Sequence, residues 1–248
     1  MTKIDPRTAI QQPAMLNVPT IVLLTIGLLI VVHIGLWALG TDWQVWSLYA
    51  LSFIPSRFGG PEMPAFPPGA QYWSFITSAL LHADATHLAS NCFWLLVFST
   101  PIARRWGALR YLIFCVLAAA AGSLAMLFAH WQQYIIVVGA SGIVSAALAA
   151  AVPIMFAEGF SYGRTTDAQY RRLKVLTPLQ LVNNYQALIF TAVFLAMTLL
   201  SGASQSLSGT AFLEERSIAW EAHLGGFIAG FILFFLLDRW KVSATAKT

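Results

Sequence analysis

Charged residues are scarce in this chain, and their scarcity argues against a soluble fold. Only 10% of its 248 residues are charged, whereas 58% are hydrophobic, and a soluble domain normally carries about 25% charged residues. The apolar residues form long runs without charge, as membrane-spanning helices do. The alternation of a membrane β-barrel, in segments of about ten residues, is missing. The sequence therefore predicts an all-α polytopic membrane protein.

Cysteine is nearly absent too, and acidic residues are missing from the apolar runs. The two cysteines, Cys92 and Cys115, fall in different runs and are interpreted as packing residues that say little about redox compartment. Glu221 only adjoins the last run. The lack of a carboxylate within the runs disfavours a Ser-His-Asp triad and a proton-coupled carrier.

The apolar runs predict six membrane spans, at about 20–39, 87–103, 110–129, 138–157, 184–202 and 221–237. With the N-terminus in the cytoplasm, 12 of the 14 basic residues fall on the inner side, as the positive-inside rule requires. The net charge of +4 is therefore an orientation signal, and nucleic-acid binding is not expected.

The same analysis predicts how the chain is organised. We expect a cytoplasmic segment at 1–19, a six-helix membrane domain at 20–238 and a cytoplasmic tail at 239–248. No targeting sequence is evident, which favours a bacterial inner membrane with both termini cytoplasmic.

Two outer loops differ in composition. Residues 40–86 are rich in aromatic residues and poor in charge, which predicts an ordered element lying partly in the membrane interface. Residues 201–220 are rich in Ser and Gly and lead into His223. This second loop is a candidate mobile flap that controls access to a site.

Polar residues cluster at the outer ends of the second, fourth and sixth spans. The clusters are His87 with Asn91, then Gly139-Ala140-Ser141-Gly142, then Ala222-His223-Leu224-Gly225-Gly226. All three spans enter from the outer face, so the clusters share one depth. Polar groups in a membrane are costly and usually functional. The clusters at this shared depth therefore predict a functional site.

Helical spacing suggests how the clusters meet. His87 and Asn91, four residues apart, share one helix face. Small residues let membrane helices approach closely, and they recur on spans four and six: Ser141, Ser145 and Ala149 on the first, Gly226 and Gly230 on the second. The close approach makes a pairing of Ser141 with His223 plausible.

The residue types suit acyl transfer. A serine hydroxyl needs a base to remove its proton, and neutral histidine suits that role near pH 7. The oxyanion formed by attack on an amide needs preplaced donors. Asn91, the His87 ring and the Ser141 backbone offer them. The sequence thus predicts a dyad of Ser141 and His223.

The chain resembles the rhomboid family of intramembrane serine proteases from Thr20 to Asp238. The matching pieces are the stretch His82–Asn91, the motif Gly139-Ala140-Ser141-Gly142, the turn Arg105-Trp106-Gly107, and Ala222-His223 followed by Gly226 and Gly230. The resemblance implies a six-transmembrane-helix bundle with an interfacial first loop and a gating region near span five.

The resemblance also implies roles for individual residues. Ser141 would be the nucleophile, His223 the general base and acid, and His87 with Asn91 the oxyanion donors. His82 would have a structural or water-organising role, and Gly139 is a further accessory candidate. The substrates would be single-span membrane proteins cut near their outer boundary, within membrane lipid and with neither cofactor nor metal.

Three positions depart from the family's pattern. Ser74 follows Trp73 where the family often has arginine, and Ala103 stands where an acidic residue is common. Ser145 occupies a position where a tyrosine often packs on the catalytic histidine. These departures concern the anchoring of the first loop, the inner turn and the support of His223.

Other functions remain open at this point. A non-catalytic rhomboid-like protein that binds membrane clients typically lacks the Ser or His present here. A zinc site at His82, Asp84 and His87 is disfavoured because the histidines are five apart and no His-Glu-x-x-His motif occurs. His33 is interpreted as structural, and His130 is assigned no role.

Overall fold

The structure, a computed structural model, describes residues 18–59, 67–162, 165–207 and 219–239, which are predominantly helical. Only one isolated bridge, between Phe53 and Val137, has extended pairing in this part of the chain. The α-helices of the described ranges are α1 (Thr20–Leu39), α2 (Thr41–Leu51), α3 (Ala70–Thr77), α4 (Ala85–Trp106), α5 (Ala108–Ala129), α6 (Ser141–Met155), α7 (Asp167–Arg172), α8 (Pro178–Val182), α9 (Tyr185–Leu207) and α10 (Trp220–Asp238).

Several of these helices suit a membrane. By length and composition α1, α5 and α10 can cross one, and α6 and the Tyr185–Met197 part of α9 are shorter apolar helices. Each predicted span falls on one helix, namely α1, α4, α5, α6, α9 or α10. The chain is thus an all-α membrane bundle, while the number of crossings stays a prediction.

Two predicted boundaries need correction. The fourth span was expected at 138–157, but α6 begins only at Ser141 because Gly139 has a φ of 119°, which a right-handed helix does not accommodate. The fifth span was expected to end at 202, but α9 continues to Leu207. The first residues of the predicted 201–220 flap are therefore helical, and 208–218 lie outside the described residues.

The first outer loop is ordered where it is described. The Trp73 indole donates to the Ala50 carbonyl at 2.7 Å, and the Thr77 hydroxyl donates to the Leu51 carbonyl at 2.8 Å. These bonds tie α3 to the end of α2 without the arginine that Ser74 replaces. Ser74 is buried, and among the described residues its hydroxyl bonds only within its own helix, to the Gln71 carbonyl at 3.4 Å. The interfacial position of this loop remains a prediction.

The centre of the bundle is α6, which is buried from Gly142 to Ile154. A methyl group added to Gly226 would overlap the carbonyl oxygen of Gly142, and one added to Gly230 would overlap the backbone of Ala146. Helices α10 and α6 therefore touch backbone to backbone. Close approach through small residues is how membrane helices gain packing contact.

The closest contact of α6 with α10 lies one residue along from the serines of the predicted stripe. Gly142 and Ala146 lie against Gly226 and Gly230, whereas the stripe was predicted at Ser141, Ser145 and Ala149. One residue along an α-helix turns the side chain by about 100°. Ser141 and Ser145 are consequently free to line a cavity beside the contact.

A polar cluster joins the C-terminal ends of α4 and α10. Arg105 forms a two-pronged ion pair with Asp238, whose second oxygen it meets at 2.9 Å, and the Trp106 indole donates to the same carboxylate at 3.0 Å. Arg105 also donates to the carbonyls of Tyr170 at 2.7 Å and Leu173 at 3.1 Å. The two helices and the connector after α6 are thus held together at one end.

Arg104 extends this cluster into the connector. It donates to the Thr165 carbonyl at 3.2 Å and to the Asp167 carboxylate at 3.1 Å. Asp167 and Asp238 thus provide the negative charge that these two arginines meet.

Replacing Gly230 by alanine is expected to destabilise the bundle by about 1–3 kcal/mol, because the methyl group must push α10 away from Ala146. The thermal unfolding midpoint in detergent measures the effect. Gly35→Ala on α1 is the matched control, since a methyl group there meets nothing within 4 Å. Equal midpoints for the two variants would contradict the backbone contact.

Candidate active site

The N-terminal ends of α4, α6 and α10 converge on one cavity. Its volume is about 580 Å³, which is within the range of small-ligand sites. The candidate site residues that line it are His87, Asn91, Gly139, Ser141 and His223. The structure therefore brings together the three polar clusters that lie far apart in the sequence.

Local capping sets the position of His87. The Asp84 carboxylate accepts the backbone N–H of His87 at 2.8 Å and so caps α4. Such caps satisfy donors that the helix itself leaves unpaired. His87 and Asn91 both face the cavity from α4, as their spacing predicts.

Gly139 allows the turn before α6 to lie against the His87 ring. A β-carbon at Gly139 would stand 2.6 Å from Cε1 and 2.8 Å from Nε2 of His87. The φ of 119° is also one that other residues rarely adopt. The turn is held in place because the Gly139 N–H donates to the Ser78 carbonyl at 3.0 Å. Glycine is thus required here for both space and backbone conformation.

Ser141 is the first residue of α6 and is half-buried at the cavity wall. The first amides of a helix have no partner within it and favour negative charge nearby. Ser145, one turn further along, is buried and also lines the cavity. The start of α6 therefore offers a hydroxyl and backbone donors at the same place.

His223 is the fourth residue of α10 and faces the same cavity. Its Nδ1 is buried, with no hydrogen-bond partner in the part of the chain described. Within that part, no hydrogen bond joins the ring to the Ser141 hydroxyl. Catalytic hydrogen bonds are often long before substrate binds. The observation that bears on a Ser141–His223 pairing is that both residues line the same cavity.

Asn91 carries an unused donor. Its side chain is only 4% exposed, and its Nδ2 has no hydrogen-bond partner among the described residues. A buried donor without a partner costs about 1–3 kcal/mol. At the cavity wall this N–H is available to a ligand that offers an acceptor.

His82 lies behind the turn. Its Nε2 accepts the Ala140 N–H at 3.5 Å, and its ring meets the His87 ring edge-on at 5.1 Å. Burial, and next the nearby His87, lower the pKa of His82 to about 4, and His33 on α1 adds to this. His82 is therefore neutral near pH 7 and able to accept. His82 supports the turn, and His33 lies close enough to lower the pKa of His82.

The comparison with known families bears on this geometry. The family model described as Rhomboid domain matches residues 69–240, which is more than half of the chain. The chain belongs to the rhomboid family. No curated protein matches it. The matched range contains His82, His87, Asn91, Ser141 and His223.

Membership of the rhomboid family makes the chain a membrane protein of a family that consists generally of intramembrane serine proteases. One pairing in this rhomboid was missed from the sequence. His130, which was assigned no role, contacts the carboxylate of Glu221 at 2.9 Å. The signal that could have found it is position, because both residues lie near the outer ends of predicted spans.

The zinc constellation considered for this rhomboid is not assembled. Asp84 caps α4 through the His87 N–H, and His82 accepts from Ala140. Within the described ranges no group of three metal-ligating side chains is close enough to hold a metal ion.

His82→Gln is expected to resist acid better than the wild type. The folded pKa of about 4 lies below the unfolded value of 6.5, so the unfolded chain takes up the proton first. His82 therefore costs stability as the pH falls from about 6.5 towards 4. Glutamine keeps an acceptor but cannot titrate.

Thermal midpoints of both proteins measured at about pH 7 and about pH 5 test this. The wild-type midpoint should fall by about 4–8 °C more than that of the variant, which corresponds to about 2 kcal/mol. Parallel losses in the two proteins would show that His82 is not the titrating group.

Proposed function

We propose that this rhomboid is an intramembrane serine endopeptidase that cuts single-span membrane proteins near their outer boundary through a dyad of Ser141 and His223. The observation that supports the proposal is the shared cavity wall, in which a hydroxyl, an imidazole and the unpaired amide of Asn91 face one space. A nucleophile, a base and an oxyanion donor are the groups that amide hydrolysis needs.

In the first step the Ser141 oxygen attacks the carbonyl carbon of the scissile amide. The His223 ring takes the hydroxyl proton as the new C–O bond forms, and the carbonyl electron pair moves onto oxygen. No carboxylate supports His223 in this scheme, because the nearby Glu221 contacts His130 instead. The reaction therefore depends on a two-residue arrangement.

The resulting oxyanion is stabilised by donors on two helices. Asn91 supplies Nδ2, His87 a ring N–H, and Ser141 its backbone N–H at the positive end of the α6 dipole. Gly139 contributes by leaving room for the His87 ring. The donors exist before substrate binds, so little reorganisation is needed during reaction.

The intermediate then collapses. The C–N bond breaks, the protonated His223 gives its proton to the leaving amine, and an acyl ester remains on Ser141. Water, deprotonated by His223, attacks this ester, and the acid product leaves with Ser141 reprotonated. The site lies at helix starts, so we propose that water reaches it from the outer face.

The proposed setting follows the sequence predictions. We place the protease domain at 20–238 in a bacterial inner membrane, with single-span membrane proteins and lipids as partners. The alternative, a non-catalytic client-binding rhomboid, is not favoured because Ser141 and His223 are both present. The proposal needs neither nucleic acid nor cofactor.

Ser141→Ala and His223→Ala are each expected to abolish cleavage of a model single-span substrate in liposomes. Loss of either dyad member should lower the rate by at least about 10⁴-fold, because the other cannot form the acyl ester alone. Ser47→Ala on α2, outside the cavity, is the matched control and should cleave normally. A fluorophosphonate probe should label wild type but not Ser141→Ala. Undiminished cleavage by either dyad variant would overturn the proposal.

Asn91→Ala is expected to lower kcat by about 10²–10³-fold while KM changes little, because the lost hydrogen bond strengthens only as charge develops on the oxyanion. Steady-state kinetics in detergent measure the two constants separately. Asn183→Ala, an exposed residue at the end of α8, is the control. An increase in KM with unchanged kcat would place Asn91 in substrate binding instead.

A further inference from the structure

A partly buried contact links the C-terminal end of α5 to the first turn of α10. His130 Nε2 lies 2.9 Å from a Glu221 oxygen, and the two side chains are 23% and 15% exposed. Limited exposure weakens the screening that makes surface pairs ineffective. The contact is therefore better shielded from solvent than an ordinary surface pair.

Helix α5 holds the His130 ring at a defined place. His130 ends this helix, and its backbone N–H donates to the Met126 carbonyl at 2.9 Å. The other ring nitrogen, Nδ1, lies 3.1 Å from the side-chain oxygen of Gln133. The His130 ring therefore lies between the side chains of Gln133 and Glu221.

Among the described residues, the first turn of α10 has no side-chain cap. The Ala219 carbonyl accepts the Ala222 N–H at 3.0 Å and the His223 N–H at 3.4 Å. Ala222 packs in a small apolar cluster with Met126 and Leu127. The Ala222 carbonyl lies against Gly122 of α5 and Gly142 of α6, and the closest backbone contact with α6 follows at Gly226 and Gly230. The start of α10 is thus held by α5 as well as by α6.

Glu221 stands two residues before His223, within the same turn of α10. A shift of this turn moves the His223 ring relative to Ser141, which belongs to α6. Misplacement of reacting groups by about 1 Å can cost about 10²-fold in rate. We propose that Glu221 and His130 form a positioning pair that holds His223 in register with Ser141; this inference rests on the proposed protease function.

The contact between Glu221 and His130 distinguishes a positioning role of Glu221 from a simple helix-dipole effect. An acidic residue in the first turn stabilises a helix whatever its neighbours are, and such an effect would not involve His130. A positioning pair requires both partners, so removing either should have the same consequence. Removing both should do no further harm, because the two act as one unit.

Kinetics of Glu221→Ala, His130→Ala and the double variant on the model substrate test the pair. We expect each single variant to lower kcat about tenfold with KM within about twofold, and the double variant to match the singles. The rate of Ser141 labelling by the fluorophosphonate should fall by the same factor. Glu221→Gln keeps an acceptor for His130 and should retain most activity. Glu158→Ala, an exposed carboxylate after α6, is the control.

The outcomes separate this inference from the proposed function. An active wild type with unchanged kcat in Glu221→Ala, or single effects that add in the double variant, would overturn the positioning pair alone. Undiminished cleavage by the Ser141→Ala variant would overturn the proposed function. If Glu221→Ala does not fold, Glu221→Gln and His130→Ala give the comparison. Glu221→Gln should keep most of the wild-type kcat, whereas His130→Ala should not. Equal losses of kcat in these two variants would overturn the positioning pair.

Discussion

The backbone contact between α6 and α10 is the constraint on which the rest of the bundle depends. Gly226 lies against Gly142 and Gly230 against Ala146, with no room for a methyl group at either glycine. Two helices this close can carry a short serine and a histidine at neighbouring starts. Side chains of ordinary size at the contact would separate the helices by several ångströms. His223 would then no longer line the same cavity as Ser141.

Polar groups at membrane depth are expensive, and two sets of them stand out among the described residues. One set, at the C-terminal ends of α4 and α10, is paired, because Arg105 and the Trp106 indole both bind Asp238. The other set lines the cavity and keeps the Asn91 donor and His223 Nδ1 without partners in the described structure. The paired groups hold the helix ends together, whereas the two unpaired atoms belong to residues that the proposed mechanism uses.

The polar cluster away from the cavity also supports the site indirectly. Arg105 joins α4 to α10 and to the connector carbonyls of Tyr170 and Leu173. His87 and His223 stand at the opposite ends of these same two helices. Fixing one end of α4 and α10 limits how far their cavity ends can part. The turn at Gly139 lies at the cavity itself, and Glu221 meets His130 beside it, at the start of α10.

Local patterns in the chain were enough to predict the helical membrane class, the positions of the six span helices to within five residues and the candidate cluster of His87, Asn91, Ser141 and His223. Hydrophobic run length, helical spacing and residue chemistry are properties of neighbouring residues, so they need no knowledge of packing. Tertiary structure alone decided three further features: which face of α6 meets α10, the start of α6 at Ser141, and the pairing of His130 with Glu221. These features arise from contacts between residues distant in sequence, such as Gly142 with Gly226, and one residue of rotation decides which side chain meets the neighbour and which meets the cavity.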